Sequence, residues 1–164
     1  MLGVVACRVE PACPPGTALD PQRARTLQAL VGHPVSDPLC FGVVPELGVR
    51  DPAGRLHLHA TADDRLLAAR VRHLEHHAAQ VDPGSGCRDR LLAEEATGWA
   101  DELAHRRRLG VVDPSCPVVA AVGADAGSSA IARWLSTSTH TRAAGLRRSH
   151  ARRCTMEGGA RRTP

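Results

Sequence analysis

Apolar positions first fall into a short helical repeat: Ala24, Leu27, Leu30 and Val31 mark one face of a helix. Asp20 stands before it as an N-cap acid, Pro21 takes the first helical position, and Gly32-His33-Pro34 stops the run. Two extended segments follow. Leu39-Cys40-Phe41-Gly42-Val43-Val44 is an apolar run bounded by Pro38 and Pro45. Gly54-Arg55-Leu56-His57-Leu58-His59 alternates strictly, which puts Leu56 and Leu58 on one face and His57 and His59 on the other, where a solvent-facing position is expected and a place lining a cleft is the alternative. The turn residues Asp51-Pro52-Ala53-Gly54 lie between the two segments and predict that they pair as a hairpin.

Two longer helices come next. The first is expected over 62–80, with Asp63 and Asp64 in its opening turn and an apolar stripe of Leu67, Val71, Leu74 and Ala78. Val81-Asp82-Pro83-Gly84-Ser85-Gly86 breaks it. The second is expected over 87–109, with Leu92, Ala96, Trp99 and Leu103 at the same spacing. It closes on Arg106-Arg107-Arg108 and Gly110. Beyond Asp113-Pro114 the periodicity decays. These patterns predict a helix-dominated α+β fold: a short N-terminal helix, a sheet of two or three strands, two longer packed helices and an irregular basic tail. The expected organisation is a lead-in over 1–19, a folded body over 20–112, an Ala/Val/Gly-rich extension over 113–135 and an Arg-rich disordered tail over 136–164.

Composition narrows the functional classes. The 164 residues are 43% hydrophobic but only 2% aromatic, so Leu, Val and Ala must build the core. All 21 basic residues are Arg, while Lys and Asn are absent, which is the signature of a GC-rich coding sequence. Arg therefore carries less chemical meaning here than it would elsewhere. The net charge of +4 is unevenly placed: residues 1–113 hold 13 Arg against 15 acids, and residues 114–164 hold 8 Arg against 2. The basicity belongs to the tail, where Arg147-Arg148 and Arg152-Arg153 can meet phosphates. No aromatic residue follows Trp134, so the tail offers no stacking platform, and only weak electrostatic contact with nucleic acid is expected. No apolar run approaches about 18 residues, which excludes a membrane-spanning helix. The opening residues show no basic leader and the six Cys form no C-x-x-C pair. Reduced thiols in a cytoplasmic protein are expected, with a Cys7–Cys13 pairing as the oxidised alternative. Walker A, G-x-G-x-x-G and G-x-S-x-G motifs are all missing.

One constellation carries chemistry. The first long helix contains His73-Leu74-Glu75-His76-His77. At about 100° per residue, His77 follows His73 by about 40°, on the shoulder of the buried stripe, whereas Glu75 falls about 200° away. Two imidazoles one turn apart at a cleft edge are what a zinc site on a helix requires. Glu95 lies beside the buried stripe of the second helix and is the candidate third ligand, with Glu94 as the alternative. The same residues also fit two shoulder histidines without metal and an exposed carboxylate paired with Arg. His76 points to solvent.

A strand, a helix with two His one turn apart and a helix bearing Glu95-Ala96-Thr97-Gly98-Trp99-Ala100 resemble the small zinc metallopeptidases of the ImmA/IrrE type over about residues 20–110. The resemblance implies a zincin-like domain that holds zinc through His73, His77 and Glu95. The family motif is His-Glu-x-x-His, and Leu74 stands where its Glu belongs. That Glu is the general base that activates zinc-bound water, and leucine cannot carry a proton. The resemblance therefore implies a non-catalytic pseudo-peptidase, acting by binding a protein partner in its cleft. The alternative is a non-enzymatic interaction protein working through the Arg-rich tail.

Overall fold

Asp20 begins the first helix as its side chain suggests, accepting the Arg23 backbone N–H at 3.0 Å. Helix α1 (Pro21–Val31) ends at Gly32, whose φ of 91° is the left-handed conformation that closes a helix, and the Gly32 N–H returns to the Gln28 carbonyl. The computed structural model of the chain describes residues 13–77, 87–111 and 113–137. Cys7, Ala78, the segment 81–86 and the tail from 138 lie outside the described residues.

Among the described residues the architecture is α+β, with one small mixed sheet and five helices. Strands β1 (Thr17–Ala18), β2 (Leu39–Gly42), β3 (Gly48–Arg50) and β4 (Leu56–His59) are arranged in the order β1-β2-β4-β3. The expected hairpin between the two longer strands does not form: β2 and β4 run parallel, with Leu39 opposite Leu56 and Phe41 opposite Leu58. The turn at 51–54 instead joins β4 to β3, with Val49 opposite His57. A tight turn can connect only antiparallel neighbours. The strand preceding it is three residues long, too short to show an alternating pattern. Asp51 organises the turn. Its Oδ1 accepts the Ala53 and Arg55 backbone N–H groups, and its Oδ2 meets Arg55 Nε and His57 Nε2, each at 2.7 Å. His57 is therefore buried against a carboxylate, not turned to solvent as the alternation suggested.

Antiparallel pairing of β1 with β2 brings the lead-in beside the sheet, where Cys13 and Cys40 form a disulfide across 27 residues. This replaces the expectation that these thiols are free and that Cys13 would choose Cys7. Cys116 is free and buried.

Helix α2 (Asp64–Glu75) starts two residues later than its pattern suggested, because Asp63 is the cap and accepts the Arg65 N–H. It ends at Glu75, short of the expected 80. His76 and His77 form the closing turn, with N–H groups bonded to the carbonyls of His73 and Leu74. Leu67, Val71 and Leu74 pack with Leu27 and Val31 of α1 and with Leu39, Leu56 and Leu58 of the sheet. Helix α3 (Cys87–Arg108) lies against α2.

The stretch after residue 113 forms α4 (Pro117–Val122) and α5 (Ser128–Thr137). Val118, Ile131 and Leu135 join Ala96, Trp99 and Leu103 of α3 in a second apolar cluster. Ile131 and Leu135 are one helical turn apart, a pair too short to stand out in an Ala- and Gly-rich segment. Helix α3 is thus covered by α2 and by α5. Its buried faces must hold the interior together as well as any site. Among the described residues no helix is long and apolar enough to cross a membrane.

Candidate metal centre

The last turn of α2 and the middle of α3 meet at a cluster of ionisable side chains. His73 and His77 stack with ring centroids 5.2 Å apart and planes 13° apart. Opposite them, Glu95 Oε2 lies 2.8 Å from His77 Nε2 and 3.5 Å from His73 Nε2. The Trp99 indole N–H donates to the other oxygen, Glu95 Oε1, at 3.0 Å. One ligand atom from each of His73, His77 and Glu95 lies within 4.8 Å of the other two. Nitrogen and oxygen ligands about 2.0–2.1 Å from a tetrahedral zinc sit about 3.3 Å from one another. The two carboxylate separations bracket that value, and the 4.8 Å span of the whole set means that the two imidazoles would draw closer together around an ion.

Burial sharpens the electrostatics. His73 and Glu95 are 1% and 5% exposed, while His77 keeps 17% of its side chain open. On its far side, His73 donates its Nδ1–H to Glu102 Oε2 at 2.7 Å. Glu102 is fully buried and is held between Arg70, at 3.3 Å, and Arg106. Arg70 also reaches Glu46 and lies over the Trp99 ring at 4.9 Å. Burial disfavours the imidazolium of His73, yet Glu102 and Glu95 outweigh it and raise its pKa above 6.5. Burial likewise opposes the charge on Glu95, but hydrogen bonds from His73 and His77 hold that carboxyl well below its ordinary range. Glu102 is brought down to about 2, against its burial, by Arg70 and His73.

The close fit depends on a glycine. A Cβ on Gly98 would stand 2.5 Å from His73 Cδ2, so only a bare backbone lets α3 approach the imidazole.

The structure brings together the three residues that the sequence nominated: His73, His77 and Glu95. Glu95 is buried against the histidines, which corrects the reading of an exposed carboxylate paired with Arg. Glu94 does not belong to the cluster. His76 is also more engaged than expected, since α2 stops early and its ring meets Asp101 at 3.1 Å. The partners of His57 and His59 are Asp51 and Thr61, so neither histidine is tied to the cluster. Sequence reasoning missed Glu102, Arg70 and Gly98. Glu102 repeats the helical spacing of Glu95 and Trp99, and that periodicity was the available signal. Leu74 lies in the apolar cluster with α1 and the sheet.

Compared with protein-family models, curated proteins and solved structures, the chain matches none.

Proposed function

We propose that this chain binds a zinc ion through His73, His77 and Glu95 and acts by binding a partner, without hydrolysing a substrate. The observation that carries the reading is the convergence of two imidazoles and one carboxylate within 4.8 Å, from α2, the turn that closes it, and the helix α3 packed against it. Paired carboxylates and histidines also occur as plain ion pairs. What favours metal is that His73 offers Nε2 to the cluster while its Nδ1 is engaged behind, the usual arrangement of a metal-bound histidine. The donor set keeps the ligands of the ImmA/IrrE-type resemblance and departs from it at Leu74, which is core and can supply no general base. Zinc held there would bridge α2 and α3 electrostatically. The partly open His77 side is where a protein partner would approach.

The experiment is a metal assay on the purified full chain with competition by a chromophoric chelator. One zinc per chain is expected, lost in His73→Ala and in His77→Ala, with thermal stability raised by added zinc in the parent only. Metal-free protein whose stability is the same with and without zinc would overturn the reading.

A second reading rests on the charge asymmetry, with 8 Arg against 2 acids over 114–164. Its contact with nucleic acid would weaken steeply with salt and vanish on removal of 136–164. Binding that survives either change would count against it.

A further inference from the structure

Glu102 is not among the three ligands, yet it is the most deeply buried charge beside them. We propose that Glu102 is the positioning residue of the site: clamped by Arg70 and Arg106, its carboxylate engages His73 Nδ1–H and so commits His73 Nε2 to the metal. The inference rests on the reading of His73, His77 and Glu95 as a metal centre.

A neutral imidazole has one N–H and one free nitrogen, and the partner of the first decides which one is left for a metal. Here the Nδ1 side is occupied at 2.7 Å by Glu102 Oε2, and only Nε2 faces Glu95. The ring has little freedom to reverse that choice. Trp99 packs edge-on at 4.9 Å, His77 stacks on it, and Gly98 closes against Cδ2. A half-turn of the imidazole would turn a carbon toward Glu102 in place of the Nδ1–H, and the buried carboxylate would lose that hydrogen bond.

The clamp explains how that carboxylate stays charged in a dry interior. An isolated buried carboxylate is costly, and removal of one partner from a buried pair destabilises strongly. Arg70 comes from α2 and Arg106 lies one turn along α3, so Glu102 accepts from both helices. Arg70 is placed in turn by Glu46 and by the face of Trp99. A carboxylate hydrogen-bonded to the distal nitrogen makes the ligating nitrogen a better donor. Glu95, Trp99 and Glu102 follow one stripe of α3. That single face supplies a ligand, a hydrogen bond to that ligand, and the group that orients the opposing histidine.

The test uses the full chain and zinc in chelator competition, with affinity referred to the folded fraction. Glu102→Gln keeps an acceptor but removes the charge, and zinc binding is expected to weaken ten- to a hundredfold. Unchanged affinity in folded Glu102→Gln would overturn the proposal and leave the metal reading standing. Absence of zinc from the parent would overturn both. A measurement on the parent makes the result independent of whether the variant folds: long-range nitrogen–proton spectra of the zinc-loaded, histidine-labelled chain. A metal-bound Nε2 with a downfield, slowly exchanging Nδ1–H on His73 is expected. Metal on Nδ1, or an Nδ1–H in rapid exchange, would refute the assignment.

Discussion

Gly98 lies against the imidazole of His73 with no room for a side chain between them: a Cβ there would meet His73 Cδ2 at 2.5 Å and Nε2 at 3.0 Å. Ala is favoured over Gly inside a helix by about 1 kcal/mol, so Gly98→Ala would stabilise α3 if contact did not matter. The ring it would strike is buried and hemmed in by Trp99 and His77. The expected outcome is a net loss of about 1–3 kcal/mol, with weakened zinc retention, read by denaturant unfolding and chelator competition. A more stable variant would show that the two helices separate easily.

Leu74 follows His73, where a His-Glu-x-x-His motif would carry its Glu, and it is packed with Leu27, Val31 and Leu67. Leu74→Glu is therefore expected to bury an unpaired carboxylate and create no peptidase. The loss should be at least about 2 kcal/mol, with no peptide hydrolysis in the presence of zinc. Hydrolysis by a folded variant would reveal that this side of α2 faces the metal.

His105 ties α3 to α1, with its Nε2–H donating to the Leu30 carbonyl at 2.7 Å and its Nδ1 accepting from Arg108 at 2.9 Å. Burial lowers its pKa below the ordinary 6.5, and Arg72 and Arg108 add to that, against the Leu30 carbonyl and Asp101. The folded chain thus binds fewer protons than the unfolded chain in this window. The contribution is complete above pH 6.5 and is lost as pH falls from there through the depressed value. Between about pH 7.5 and 5 the raised pKa of His73 works in the opposite sense, so the His105 contribution is read as a difference: thermal unfolding of His105→Gln should lose less stability on acidification than the parent. An unchanged slope in that variant would assign the acid sensitivity elsewhere.

Cys13 and Cys40 close a loop across 27 residues, anchoring β1 to the sheet. Chain-entropy arguments assign such a loop about 3–4 kcal/mol. Reduction should lower the denaturant midpoint of the parent and leave Cys13→Ser unaffected. Equal midpoints in oxidised and reduced parent would mean that the lead-in contributes little to folding.

The legible parts of this protein were those written locally. Asp20 with Pro21 and Gly32 marked both ends of α1, and Leu67, Val71 and Leu74 showed the buried stripe of α2. The spacing of His73 and His77, with Glu95 beside Trp99, nominated all three cluster residues. Each of these signals needs only helical periodicity and side-chain chemistry within a few neighbouring residues.

Tertiary structure decided whatever depends on a partner distant in sequence. The parallel pairing of β2 with β4 and the choice of Cys40 by Cys13 follow from the path of the chain through the sheet, which no local pattern encodes. The contribution of α4 and α5 to a second core appears only when Ile131 and Leu135 meet α3. Nothing local singles out Glu102, and its role depends on the packing of α2 against α3, which places its Oε2 at 2.7 Å from His73 Nδ1. Periodicity determines which face of a helix is available; packing determines which residues on two such faces meet, and the candidate site exists only at that meeting.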